Sequence, residues 1–273
     1  MGFKGKSQVW IKDATMATRR GILPWLRRAA PSRYTDADPF KVIHIPPVQI
    51  MVMQRRWSGP IALPWLDTGP LRRFSSLRRR WQAGLVLDGD WDQTVQSFEE
   101  YHLWRVVRDR YQQGKDWQDI DYIKSAYRKI AQGRPAWGNR CHTPADVVER
   151  CNYLDQLYNR LKTEGYYADP SPAQQLTLPY THFLVNIGRH GEIIRNNDGK
   201  HRILLSKVLG LPFLAAKVFV RHRQWQAVRD AIRRGDTPEI AEQYRHHPDL
   251  QDLLHSTHGL APVSALPQTS MRH

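Results

Sequence analysis

The sequence predicts an α/β fold, and three observations point there. Residues 40–53 (FKVIHIPPVQIMVM) are β-rich, residues 90–165 show three helical stretches with legible ends, and the segment after Phe183 reads strand, turn, strand, turn, helix, strand. An apolar share of 41% of the 273 residues, with ten Trp, eleven Tyr and seven Phe, is enough for a sizeable core and excludes global disorder.

In chain order, residues 1–38 carry Lys4, Lys6, Lys12, Arg19, Arg20, Arg27, Arg28 and Arg33 against Asp13, Asp36 and Asp38, which reads as a basic, solvated arm. Ile22, Leu23, Trp25 and Leu26 give it one apolar turn, and Pro24 argues against a long helix. The sharper alternative is an arm that docks on phosphates or on a membrane surface. Pro46 and Pro47 place the run at 40–53 on a sheet edge or split it into two short strands. Residues 55–81 are loop-like, punctuated by Gly59, Pro60, Pro64, Gly69 and Pro70. They hold a second basic cluster, Arg72, Arg73, Arg78, Arg79 and Arg80, with Phe74 and Trp81 interleaved. Arginine beside aromatics suits nucleic acid, and equally a surface loop pinned by aromatic anchors.

The first helix is expected from Asp90 or Trp91 to about Gln112, on the spacing of Val95, Phe98, Leu103, Val106 and Val107. The second has Asp116 as N-cap, Ile120, Ile123, Tyr127 and Ile130 on one face, and Gly133 past its end. The third starts at Thr143 as N-cap with Pro144 following, and stops at Gly165. Its stripe is Val147, Val148, Cys151, Leu154, Leu157, Tyr158 and Leu161, which makes Cys151 a small core residue. Beyond a proline-marked loop, Phe183, Val185 and Ile187 alternate as a strand should, and His190-Gly191 suits a tight turn. A short helix over His201 to Leu209 ends at Gly210, Leu214 to Val220 forms a strand, and residues 223–234 and 238–254 are helical. The last dozen residues read as frayed.

Forty-one Lys+Arg against 26 Asp+Glu give a formal charge of +15, which attracts polyanions without choosing among them. Two cysteines exclude a disulfide scaffold and a four-thiolate zinc site. The longest apolar region, Ile203 to Val220, is broken by Lys207, Pro212 and Lys217, and the N-terminus has no continuous apolar run. The expectation is a soluble, cytoplasmic protein with no integral membrane association.

The most informative segment is Asp198-Gly199-Lys200-His201-Arg202, set between a strand and a helix. A helix start presents free backbone N–H groups and the positive end of the helix dipole, and a glycine before it lets an anion approach closely. Lys200, His201 and Arg202 add side-chain donors, so the segment has the chemistry of a phosphate cradle without the spacing of a P-loop.

From Leu154 to Val220 the chain resembles the ParB/sulfiredoxin superfamily of small α/β domains. The resemblance rests on the helix ending near Gly165, the strand and turn, and DGKHRILLSKVLGLPFLAAKVFV, in which Gly199, His201, Arg202, Lys207, Leu209 and Gly210 match. It implies a small mixed sheet opened by the run at 40–53, with a helical insertion over about 90–150. The domain then covers 39–222, between the basic arm (1–38) and a helical extension with a frayed tail (223–273). It further implies a nucleotide phosphate at Gly199, His201 and Arg202, with ATP or CTP and Mg²⁺ as the cofactor, while Lys200 is a binding candidate on its charge alone. The family's sulfiredoxins have a catalytic cysteine where this chain has Lys200, which disfavours sulfinic-acid repair. No convincing helix-turn-helix follows Arg223, which disfavours centromere binding.

Asn186 and Arg189 end the preceding strand and are candidates for the same cleft, Arg189 for a second phosphate; His201 and Asp198 are the catalytic candidates, Asp198 as base or metal positioner. Arg221-His222-Arg223 closes the last strand, where α/β folds often place ligand groups. Asp88, Asp90, Asp92 and Glu99 have partial calcium-loop spacing, but Gln93 stands where the turn glycine belongs, and a helix start explains the same aspartates. The reading that follows is a nucleotide- or phosphate-binding protein, with phosphotransferase or NTP hydrolase chemistry as its extension. The alternatives are a nucleic-acid-binding protein or ParB-like nuclease using the arginine clusters, and a non-catalytic partner-binding module.

Overall fold

The structure is a computed structural model and describes residues 18, 21–39, 41–54, 82–166, 183–196, 199–236 and 238–257. The strands are β1 (Val42–Ile45), β2 (Val52–Gln54), β3 (Leu85–Leu87), β4 (Val95–Ser97), β5 (Phe183–Ile187), β6 (Ile193–Arg195) and β7 (Leu214–His222). The helices are α1 (residues 21–29), α2 (His102–Tyr111), α3 (Asp121–Ala131), α4 (Pro144–Glu164), α5 (Lys200–Leu209), α6 (Arg223–Arg234), α7 (Pro238–Gln243) and α8 (Gln251–Thr257). The architecture is therefore mixed α/β, as the sequence predicts.

One seven-stranded mixed sheet runs β1-β7-β5-β6-β2-β4. Strand β7 organises it. β5 lies parallel along one edge, and the other edge takes β1 antiparallel at Leu214–Lys217 and then β3 parallel at Val220–His222. Nine residues are long enough for two short strands end to end, and most of β7 is buried. The paired prolines do split the run at 40–53. A 3-10 turn at Pro47–Gln49 separates β1, which pairs β7, from β2, which joins β6 across the sheet.

Helix α4 forms as its ends predict. Thr143 and Asp146 make a capping box, Pro144 opens the helix, and Gly165 follows it at φ +68°. Val147, Cys151, Leu154 and Leu161 are buried on one stripe, while Val148 is exposed. Two expectations need correction. The first predicted helix is only α2, because Val95–Ser97 pairs with β2 as a strand, so tertiary pairing overrides a locally helical spacing. Asp116 precedes a 3-10 turn at Trp117–Asp119 without a side-chain capping bond, and α3 itself begins one turn later behind Ile120.

The described part of the basic arm touches the fold at a few points while Arg28 and Arg33 stay exposed. Pro24 lies inside α1, and Leu23 is buried and flanks Gly84. Farther on, the Thr35 amide donates to the Gly84 carbonyl and the Val86 amide to Arg33. The chain divides into two compact units, and the boundary between Gln226 and Ala227 falls inside α6. In the second unit, the fully buried Arg229 guanidinium donates to the Asp249 carbonyl and to the Asp252 carboxylate (2.9 Å). Among the described residues no helix is long and apolar enough to cross a membrane.

Candidate anion-binding site

Helix α5 starts at Lys200 behind Gly199, which adopts φ +76°. A Cβ at Gly199 would fall 2.5 Å from the Cβ of Phe183 on β5, so both conformation and space demand glycine here. Gly210 closes the helix at φ +63°. Helices α2 and α4 pack against α5 and bring their side chains to its first turn.

A closed circuit of contacts forms there. The Lys200 ammonium donates to the Tyr101 hydroxyl (3.2 Å) and lies 5.8 Å from that ring. Tyr101 abuts His102 (4.5 Å between ring centroids), His102 stacks on Tyr122 (4.9 Å), and Tyr122 meets Trp137 edge-on (5.3 Å). The Arg150 guanidinium lies 6.0 Å from the Trp137 ring and 5.0 Å from Tyr153. Its Nη2 sits 3.4 and 3.5 Å from the two ring nitrogens of His201, the neighbour of Lys200. Residues 101–153 thus wall the helix start with aromatics and supply a further cation.

Three observations give this circuit the character of an anion receptor. First, His201 is 9% exposed, and burial followed by the charges of Arg150, Lys200, Arg140 and Arg195 depresses its pKa from 6.5 to about 3. Its ring is neutral at pH 7. Second, Arg150 Nε and the Trp137 indole nitrogen are buried donors with no acceptor among the described residues. Such orphans are rare and cost about 1–3 kcal/mol each. Third, Trp137 and Asn139 adopt left-handed φ values of +52° and +62° around Gly138. A bulky residue in that region carries strain of order 1–3 kcal/mol, and such strain clusters at ligand sites.

The neutral ring has a measurable consequence. The folded protein resists protonation of His201, whereas an unfolded chain takes the proton below about pH 6.5. The stability tied to the neutral ring is therefore complete above pH 6.5 and lost as pH falls toward 3. Urea denaturation at pH 7 and pH 5 should show His201→Gln losing about 2 kcal/mol less than the wild type over that interval. Equal losses would contradict the environment described for the ring.

The other sequence-predicted residues are placed as follows. Arg202 leaves the circuit and donates to the Tyr166 hydroxyl (3.4 Å) beyond the end of α4. Asn186 is fully buried in the sheet and accepts from Asn196 Nδ2 (3.1 Å), which anchors the chain just before α5. Arg189 turns to carboxylates instead. Its Nε and Nη2 reach Asp92 at 2.9 and 2.7 Å, and Nη2 also reaches Asp90 at 2.7 Å. Asp88 pairs with Arg223 (2.9 Å), so all three aspartates of the calcium-like spacing hold arginines. Asp198 lies outside the described residues, as do residues 55–81 with the second arginine cluster. His222 donates from Nε2 to the Gly89 carbonyl (3.0 Å) and accepts the Gln224 amide at Nδ1 (3.1 Å), which is a structural use. Cys141 and Cys151 are buried free thiols, and burial pushes the Cys151 pKa up to about 12.

Sequence reasoning missed Arg140, Arg150, Trp137, Tyr153 and Tyr101. Arg150 and Tyr153 stand three apart on α4 and so share a face, the one signal available. Reading it required knowing that this face meets α5. Among the described residues no group of three or more His, Cys, Asp and Glu could hold a metal ion. No family model, curated protein or solved structure matches the chain.

Proposed function

We propose that this chain binds a nucleotide or another phosphate-bearing ligand at the Gly199–Arg202 start of α5, within a domain of ParB/sulfiredoxin type. The observation that carries the reading is the gathering of Lys200, Arg140, Arg150 and Arg195 around a buried, neutral His201, beside two buried donors without acceptors among the described residues. Phosphate oxygens are charged acceptors, and the helix start adds backbone N–H groups and the positive end of its dipole. Strand β5, the turn, β6, the G-K-H-R helix start and β7 also follow in the order the resemblance implies. ATP or CTP fits this donor set, and Mg²⁺ would enter on the phosphates of the nucleotide. The reading commits to binding. A phosphotransferase or hydrolase needs a proton acceptor of ordinary pKa, which His201 is not.

The test is a thermal-shift titration with ATP, CTP, GTP and UTP, with and without Mg²⁺, on the wild type and Lys200→Ala. At a ligand concentration of about 100 Kd, binding to the native state adds about 2.7 kcal/mol, a shift of several degrees. The expected result is a saturable shift for at least one nucleotide, strongly reduced in Lys200→Ala. No shift with any nucleotide overturns the reading. Salt-sensitive binding of nucleic acid that Lys200→Ala leaves intact would favour the arginine clusters instead.

A further inference from the structure

The rings of the circuit differ in what they leave open. His102 lies between Tyr101 and Tyr122, Tyr101 contacts His102 and Lys200, and Tyr122 contacts His102 and Trp137. Trp137 is 6% exposed. His102 and Tyr153 are the exposed rings of the circuit; His102 is flanked by Tyr101 and Tyr122, whereas Tyr153, at 45% exposure, has no ring stacked on it among the described residues. It meets the Arg150 cation at 5.0 Å and the edge of His201 at 6.2 Å, with the two rings inclined at 69°. An exposed aromatic ring one contact away from the phosphate donors, and backed by a cation, has the chemistry of a base platform. Every nucleobase has a π-face that stacks on such a ring.

We propose that Tyr153 stacks the base of the bound ligand, so that the site takes a nucleotide in preference to a bare polyphosphate. This rests on the phosphate reading above and adds the class of ligand to it. The phosphates meet Lys200, His201 and Arg150, and the base lies over Tyr153 on the outer side of α4. The exposed ring on α4 then confers selectivity that the helix start alone lacks, because a cradle of cations and N–H groups cannot tell a nucleoside triphosphate from inorganic tripolyphosphate. Stacking on one aromatic ring is worth roughly 5- to 150-fold in affinity, and an open platform belongs near the lower end.

The experiment compares inorganic tripolyphosphate with ATP, CTP, GTP and UTP by calorimetric titration of the wild type, Tyr153→Ala and Tyr153→Phe. Tyr153 is exposed, so both variants should fold as the wild type does. At least one nucleotide is expected to bind the wild type about tenfold or more tightly than tripolyphosphate. Tyr153→Ala should abolish that preference by weakening nucleotide binding far more than tripolyphosphate binding, and Tyr153→Phe should retain it. Equal binding of tripolyphosphate and all four nucleotides overturns the base platform and leaves the phosphate site standing. A preference that survives in Tyr153→Ala does the same. Failure of every ligand to bind overturns both.

Discussion

Gly199→Ala is expected to destabilise the protein by about 2–5 kcal/mol, far more than the same change at Gly210 at the other end of α5. Both glycines have positive φ, +76° and +63°, so both substitutions carry the conformational cost. Only at Gly199 does the new Cβ also strike a neighbour, 2.5 Å from the Phe183 Cβ, an atom fixed to the backbone of β5. At Gly210 nothing lies within 4 Å, and the expected loss is about 1 kcal/mol. Urea denaturation of the two variants measures the difference. Equal losses would show that α5 does not start as tightly on β5 as described. Because the helix start also carries the proposed donors, Gly199→Ala should weaken nucleotide binding in the fraction that folds, whereas Gly210→Ala should not.

Asp92→Ala should cost about 3–5 kcal/mol, and Asp90→Ala no more than about 1 kcal/mol. Asp92 is 1% exposed at its side chain and accepts from the Arg189 amide (2.9 Å) as well as from its guanidinium. Removing it leaves the Arg189 amide without this acceptor and the guanidinium with the exposed Asp90 and the Gly89 carbonyl. Asp90 contacts the same guanidinium but is 83% exposed, where water screens the pair. Burial by itself would raise the Asp92 carboxyl, yet the hydrogen bonds from the Arg189 side chain and amide, with the Arg189 charge, outweigh it and hold the pKa at about 2. The stability this carboxylate contributes is present above about pH 3.8 and lost as pH falls through 2. Chemical denaturation of both variants at neutral pH tests the contrast, and similar losses for the two would contradict it.

The contrast between α4 and the segment before α2 shows what the sequence made legible. Thr143, Pro144 and Gly165 settle the ends of α4 through local chemistry that needs no partner. Val95 and Phe98 have helical spacing, but Val95 lies in β4, because β2 offers it an edge that lies far away in sequence. Nonlocal pairing of that kind leaves no mark in a window of ten residues. The candidate site divides in the same way. Gly199, Lys200 and His201 stand together in sequence and the helix start keeps them together. Arg189 reads as an available cation until the fold sets Asp92 beside it. Arg150 and Tyr153 come from α4 and Trp137 from the segment before it, and only the packing of α4 on α5 brings them to His201.

The central claim is that phosphate meets the protein at His201, and ring-nitrogen NMR of the histidines tests it most directly. The chain has 12 histidines, and His201→Gln identifies the resonances of His201 among them. Titration with the nucleotide that gives the thermal shift, and with inorganic tripolyphosphate, should perturb the His201 ring nitrogens saturably. It should also raise the depressed pKa of that ring, because an anion beside Lys200 and Arg150 offsets the charges that hold it near 3. Saturable nucleotide binding that leaves the His201 resonances and their titration unchanged would place the ligand elsewhere on the protein and contradict the account.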